Sequence, residues 1–80
     1  MSRFAGVYRA VVVDAADPLK QQRLKVRIPE VVPGVDQWAL PCTSAGSTAL
    51  PRVGSTVWVM FEAGDPVRPV WLGVLPTPSR

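Results

Sequence analysis

The chain has 80 residues, a net charge of +3, no histidine and one cysteine, Cys42. This composition excludes an intrachain disulfide and an ordinary zinc site, because one cysteine without histidine can build neither. No apolar run approaches the ~20 residues of a membrane span, and the start of the chain lacks the apolar region of a signal peptide. The lone cysteine and the absence of these segments predict folding in the cytoplasm. The length predicts one domain that depends either on oligomerisation or docking or on a well-packed small core.

Short valine-rich runs, separated by nine prolines and six glycines, show no helical period and predict an all-β fold. The five predicted strands are, in chain order, Gly6 to Asp14, Arg23 to Pro29, Gln37 to Cys42, Ser55 to Glu62 and Arg68 to Leu75. Five such strands suit a small Greek-key barrel better than a sandwich, which needs about seven. We expect one barrel domain over residues 1–75 and a short Pro-containing tail over 76–80.

The second predicted strand alternates cleanly between apolar and basic residues. Its apolar face consists of Leu24, Val26 and Ile28. Its other face consists of Arg23, Lys25 and Arg27. Because successive side chains of a strand point to opposite faces, the apolar set is expected in the core and the basic set outside.

The segment Thr43 to Arg52 lies between the third and fourth strands, where many five-stranded barrels carry a helix. Gly46 and Pro51 are poor helix formers. We therefore expect the helix to be absent or reduced to a turn.

The fourth and fifth strands are apolar on both faces. Val57, Val59 and Phe61 alternate with Trp58 and Met60. A connection of four or six residues would place Trp58 and Trp71 on the same face. Because a domain of this size has one core, the second face is expected to contact another chain. The expected contact residues are Trp58, Met60 and Trp71, with Trp38 as a further candidate that could instead fill the core.

Three segments resemble the OB-fold domain of phage baseplate assembly protein V, of tail-spike hub proteins and of the VgrG spike of type VI secretion. The first is Tyr8 to Pro18 followed by Arg23-Leu24-Lys25-Val26-Arg27-Ile28-Pro29. The second is Trp38-Ala39-Leu40-Pro41 with Ala45-Gly46. The third runs from Pro51-Arg52-Val53-Gly54 through Phe61-Glu62-Ala63-Gly64-Asp65-Pro66 to Arg68-Pro69-Val70-Trp71-Leu72-Gly73. Together they cover most of the chain.

The resemblance implies an OB-fold barrel that serves as a structural adaptor in a phage tail baseplate or a related contractile injection system. In that family the domain forms a trimer and joins the tail hub to the central spike. The implied partners are further copies of the chain, the hub and a spike, needle or tip protein. The implied location is the virion tail baseplate, assembled in the host cytoplasm. Family members commonly continue into a β-helical needle, whereas this sequence stops soon after its fifth predicted strand. The needle or tip is therefore expected to be a separate polypeptide.

Enzymatic activity and cofactor binding are not expected from these residues. Three of the six carboxylates lie in or beside predicted turns, so no facing pair for hydrolysis is indicated. Cys42 has no histidine to activate it and is expected to be a buried or half-buried structural residue. Asp17-Pro18 and Asp65-Pro66 are typical of turns.

The alternative function is single-stranded nucleic-acid binding, because some OB-fold barrels bind oligonucleotides on the face around the second and third strands. It would require aromatic stacking beside the basic strand, for which Trp38 and Tyr8 are the nearby candidates. The basic strand carries no aromatic residue of its own. We therefore expect Arg23, Lys25 and Arg27 to form a solvated face or a polar rim toward an acidic partner, and nucleic-acid binding is disfavoured.

Overall fold

The computed structural model describes residues 3–31, 34–43 and 50–75. It contains the strands β1 (Tyr8–Asp14), β2 (Leu24–Arg27), β3 (Asp36–Pro41), β4 (Thr56–Phe61) and β5 (Pro69–Val74), with a 3-10 turn at Glu62–Gly64. They form a closed barrel in the order β1-β2-β3-β5-β4. Among these described strands, only the β3–β5 pair is parallel. The predicted five-stranded all-β barrel is confirmed, and no strand end differs from its predicted position by more than two residues.

The core of the described part of the barrel draws side chains from every strand, because each strand turns alternate residues inward. Its buried apolar members are Ala10, Val12, Leu24, Val26, Ile28, Ala39, Val57, Val59, Phe61 and Trp71. The predicted inward face of the second strand is confirmed, since Leu24, Val26 and Ile28 are all fully buried. Closure of the sheet also leaves no free edge along these strands for unwanted pairing.

Trp71 lies in this core, only 3% exposed, and the prediction that it shares a face with Trp58 is wrong. Phe61 pairs with Pro69, so the connection consists of the seven residues 62–68, an odd number. An odd connection reverses the expected parity and sets Trp71 opposite the inward-facing Val59. The indole Nε1 of Trp71 then donates a hydrogen bond of 3.1 Å to the carbonyl oxygen of Gln22.

A β-bulge follows on β5, because Trp58 pairs with Gly73 while Val59 pairs with Trp71. Leu72 is the extra residue between these two pairs. Gly73 is therefore the residue opposite the outward-facing Trp58, and, its chain neighbours aside, no atom of the described residues lies within 4 Å of the position that a Cβ would take there.

The N-terminal segment before β1 closes the end of the barrel at which β4 finishes. The rings of Phe4, Tyr8 and Phe61 pack on one another with centroid distances of 5.5 to 6.2 Å. The backbone N–H of Phe4 donates to the carbonyl of Gly64 at 3.0 Å. This contact fixes the first described residues against the turn between β4 and β5.

Two of the predictions concern residues outside the described ranges. They are the short tail over 76–80 and the absent or reduced helix between β3 and β4, where residues 44–49 are not described. Within the described ranges, the structure contains no helix with the length and apolar character needed to cross a membrane.

Candidate functional site

An apolar row crosses three neighbouring strands on the outside of the barrel. Met60 of β4 pairs with Val70 of β5, and Val70 pairs with Leu40 of β3. Adjacent strands lie about 4.8 Å apart, so these three side chains are lateral neighbours. Met60 is 42% exposed and Leu40 is 46% exposed. Such a row is a larger apolar surface than the isolated exposed residues that any small protein carries.

Trp58 extends this row along β4, because it lies two residues from Met60 and faces the same way. It is half-buried, and Arg9 lies directly opposite it on β1. The guanidinium carbon of Arg9 is 5.5 Å from the centroid of the Trp58 ring, which is a cation–π distance. We call Trp58, Met60, Val70 and Leu40 the apolar face. The structure thus places Trp58 and Met60 together on the outside, while their role as contact residues stays a prediction.

A shallow groove adjoins the apolar face and shares Met60 with it. Its volume is about 410 Å³. Its lining residues are Arg3, Phe4, Ala5, Gly6, Met60, Phe61, Ala63 and Gly64. The sequence did not indicate this groove, because it forms only when the N-terminal segment docks on the distant turn after β4.

The groove is built by close backbone contacts. Arg3 Nη1 donates to the carbonyl of Ala63 at 2.8 Å, in addition to the bond between Phe4 and Gly64. Gly64 has a φ of +76°, and a Cβ on it would lie 3.2 Å from the Cβ of Arg3. Ala63 also has a left-handed φ of 55°. A glycine at 64 therefore permits both the turn and the approach of the N-terminal segment.

Arg23, expected on a polar rim, is instead largely buried in an ion pair with Asp17. Arg23 Nη2 and Nε donate to the two carboxylate oxygens at 2.8 and 3.0 Å. The side chains of Arg23 and Asp17 are 19% and 3% exposed. The Arg23 guanidinium holds the pKa of the Asp17 carboxyl well below its usual range, and the hydrogen bonds to Asp17 raise the pKa of Arg23. Arg23 is thus a structural residue of the loop between β1 and β2.

Trp38 lies beneath two cations on the outer surface of β2 and β3. It pairs directly with Lys25 across the two strands. The ring centroid lies 5.1 Å from the guanidinium carbon of Arg23 and 5.6 Å from Lys25 Nζ. Trp38 is half-buried and is not a member of the core cluster. It therefore does not fill the core, and two cations lie over its ring.

The remaining basic residue of β2 also has a partner on β3. Arg27 Nε and Nη2 donate to the Asp36 carboxylate at 2.8 and 3.3 Å, and the two residues are a cross-strand pair. Tyr8 does not join this surface, since its hydroxyl donates to the carbonyl of Ala5 and its ring packs on Phe61. Each of the three basic residues therefore has a partner. Arg23 pairs with Asp17, Arg27 pairs with Asp36, and Lys25 lies over the Trp38 ring.

Cys42, expected to be buried or half-buried, is an exposed free cysteine. It follows the last residue of β3, and its backbone N–H donates to the carbonyl of Trp71 at 3.0 Å. Its position just past the strand end explains the exposure, because the core contacts of β3 come from Ala39. Most carboxylates have structural partners, and those in such contacts are Asp14, Asp17, Asp36, Glu62 and Asp65.

Comparison with known proteins agrees with this architecture. Residues 8–75 match the family model described as the type VI secretion system/phage-baseplate injector OB domain. The matched range spans all five strands of the barrel. The chain matches no curated protein. The resemblance derived from the sequence is thereby confirmed, and with it a structural role in a baseplate. The chain belongs to the family of OB domains of type VI secretion systems and phage-baseplate injectors.

Proposed function

We propose that this chain is a structural adaptor that joins the tail hub to the central spike of a phage baseplate or a related contractile injection machine. In this proposal it acts as a homotrimer and contacts the hub and a spike, needle or tip protein. Its place is the virion tail baseplate, reached by assembly in the host cytoplasm. Family membership supports the baseplate role. The apolar face is the observation that supports a contact with further chains.

The core of the described part of the barrel is filled without the apolar face. Ten buried side chains, nine from the five strands and one from Ile28 just after β2, fill the described part of the barrel. Met60 and Leu40 remain substantially exposed on the outside. Full burial of an exposed side chain of this kind contributes about 1.5–3 kcal/mol, and covering the exposed part of Met60 or Leu40 contributes roughly half of that. Because interface centres favour aromatic residues and methionine, Trp58 and Met60 are the proposed centre of the contact.

The proposed adaptor acts by binding alone and requires no catalytic step. The carboxylates of the barrel fit this role, because several of them are engaged in structural ion pairs. The Asp17, Asp36 and Glu62 carboxylates are paired with arginines. Lys25 and Arg27 lie on the outer surface and are proposed to contribute a polar rim. Rim charges tune the orientation and the rate of association more than the affinity.

The basic face gives little support to nucleic-acid binding. Bases stack on open aromatic faces, whereas two cations already lie within about 6 Å of the Trp38 ring. The charges of Arg23 and Arg27 are compensated by Asp17 and Asp36. Phosphate binding without stacking would be weak and sensitive to salt.

The test is assembly with the natural partners. The chain is co-expressed with the hub and spike proteins encoded in the same genome, and the products are sized by chromatography with light scattering. We expect a complex that contains three copies of the chain with hub and spike, and we expect Met60→Glu to prevent it. Val53→Glu is the matched control, because Val53 is 62% exposed in the connection before β4 and lies outside the apolar face. A monomer that binds neither protein would contradict the proposal.

A further inference from the structure

We propose that the groove and the adjoining apolar face bind an apolar segment of a different polypeptide, in which carboxylates flank the apolar side chains. This inference rests on the proposed adaptor function and specifies the chemistry of the partner that covers the face. It assigns the face to a partner other than a second copy of the chain. The partner is identified by the shape of the groove, its rigidity and the charges at its rim.

The groove is concave, so it can receive side chains of a bound segment, which a flat surface could not do. It is shallow and open, with a volume of about 410 Å³, so it can receive these side chains without enclosing a ligand. Its walls include the rings or side chains of Phe4, Phe61 and Met60. Because Met60 also belongs to the apolar face, one bound segment can contact the groove and the row toward Val70 and Leu40 together.

The groove is preorganised, which lowers the entropic cost of binding. One wall, the N-terminal segment, is tied to the opposite wall by the bond from Phe4 to Gly64 and the bond from Arg3 to Ala63. The same segment is tied to β1 by the Tyr8 hydroxyl, which donates to the carbonyl of Ala5 at 2.8 Å. These bonds fix both sides of the groove before a partner arrives.

Two arginines at the rim carry charge that no carboxylate of the described residues neutralises. Salt bridges among these residues involve Arg23, Arg27 and Arg68. Arg3 donates to a neutral carbonyl, and Arg9 lies over the Trp58 ring. The nearby Glu62 is already paired with Arg68 at 3.1 Å. Both Arg3 and Arg9 are exposed, so their charges face the solvent beside the apolar surface.

This charge pattern favours an acidic partner over a second copy. A second copy carries the same net charge of +3. A contact between two copies through the apolar face would gather the unpaired Arg3 and Arg9 of both copies at one interface, and like charges at an interface are unfavourable. In a head-to-tail contact Asp17, Asp36 and Glu62 would be engaged in their internal ion pairs, and Asp14 and Asp65 accept backbone hydrogen bonds within their own loops. Glu30 is then the one exposed carboxylate of the described residues that is left to meet two arginines. Carboxylates on another polypeptide would instead form charge-assisted bonds with Arg3 and Arg9.

The test compares two synthetic peptides by amide NMR titration of the full chain. The peptides share the centre Leu-Phe-Leu and carry either two glutamates or two lysines on each side. The glutamate peptide is expected to shift the amide signals of Gly6, Met60, Gly64 and Val70, and to bind about tenfold more tightly than the lysine peptide at low salt. Added salt is expected to reduce that difference, because the rim arginines are exposed.

Charge-reversal variants link the affinity to the rim. Arg3→Glu and Arg9→Glu, each as a single variant, are expected to weaken the binding of the glutamate peptide severalfold, and their combination by about tenfold. Arg52→Glu changes the net charge as much as either single variant and should leave the affinity unchanged, because Arg52 lies in the connection that contacts the far end of β1 through Gly54 and Val12. Circular dichroism melting curves establish that each variant is folded.

Three results would overturn the inference. One is equal binding of the two peptides, or no shift with either at millimolar concentration. Another is a shift centred on Lys25 and Trp38 instead of Met60. The third is a change of the Met60 and Val70 signals with protein concentration alone, which would identify a second copy as the occupant. Assembly with hub and spike without peptide binding refutes only this inference, whereas selective peptide binding without such assembly refutes only the adaptor function.

Discussion

Asp17 and Arg23 form a two-bond ion pair that organises the loop between β1 and β2. The same carboxylate accepts backbone hydrogen bonds from Leu19, Gln21 and Arg23. Lys20 and Gln22 adopt left-handed φ values of 54° and 62° within the loop. One buried carboxylate therefore holds a turn that contains two unfavourable backbone conformations.

The first prediction concerns this carboxylate. Asp17→Asn removes the charge and some of the acceptor capacity while it preserves the size of the side chain. We expect a clear fall in melting temperature, because the donors of Arg23 and of the loop lose a charged acceptor. Asp65→Asn is the control, since Asp65 accepts a backbone bond from Val67 in an exposed turn and should have the smaller effect. Equal melting temperatures for the two variants would contradict the assigned role.

The second prediction is a dependence of stability on pH. The pKa of Asp17 is lowered in the folded state, chiefly by Arg23, so the unfolded chain binds the proton more readily. The contribution of Asp17 to stability is therefore complete above the ordinary carboxyl pKa of about 4 and is lost as the pH falls toward the lower folded-state value. Urea unfolding between pH 6 and pH 2 measures this. The Asp17→Asn variant should show a shallower decline, and an unchanged slope would refute the prediction.

The third prediction separates the two tryptophans of the hairpin. Trp71→Ala should lower the free energy of unfolding by about 3–5 kcal/mol, because Trp71 fills the core. Trp58→Ala should cost about 1 kcal/mol or less, because Trp58 is half-buried on the outside. Chemical denaturation measures both values. Trp71→Phe serves as a control that keeps a ring but loses the bond to Gln22, and a larger loss for Trp58→Ala than for Trp71→Ala would show the faces to be reversed.

The fourth prediction concerns the contact that builds the groove. Gly64→Ala should destabilise the chain by about 1–3 kcal/mol, since alanine is strained at positive φ. It should also speed hydrogen exchange of the Phe4 amide, because a Cβ would press on Arg3. Gly34→Ala is a matched control, since Gly34 has a similar φ of +78° and, its chain neighbours aside, no atom of the described residues within 4 Å of the position that the alanine methyl would take. Equal exchange of the Phe4 amide in both variants would contradict the docking of the N-terminal segment.

The fifth prediction concerns nucleic acid. A fluorescent single-stranded oligothymidine should show only weak binding that disappears at moderate salt, because the Trp38 ring lies beneath Arg23 and Lys25. Fluorescence anisotropy with Trp38→Ala as the comparison tests this. Tight binding that persists in salt and requires Trp38 would restore the nucleic-acid function.

The sequence permitted prediction of the features that depend on local periodicity. The alternation around Val26 identified an inward face, and turn residues such as Asp17-Pro18 bounded the strands correctly. The face of Trp71 depended instead on whether the β4–β5 connection was odd or even. That parity was set by a turn with Ala63 in a left-handed conformation, which composition does not reveal.

The candidate site was predictable only in part for a similar reason. Trp58 and Met60 share a strand face by simple alternation, so their outward placement followed from the pattern. The burial of Arg23 depended on a carboxylate six residues earlier that folds back through the loop. The groove depended on residues 3–6 meeting residues 60–64, a contact between distant parts of the chain. Such tertiary contacts leave no periodic signal in one sequence.

The most direct test of the central claim is photo-crosslinking at Met60 in the assembled machine. Met60 is replaced by a photoreactive phenylalanine analogue, and the crosslinked products are identified by mass spectrometry. A crosslink to the hub or the spike protein is the predicted result, with none from the same analogue at Val53. Absence of any crosslink at Met60 in an intact assembly would contradict the claim that the apolar face is covered by a partner.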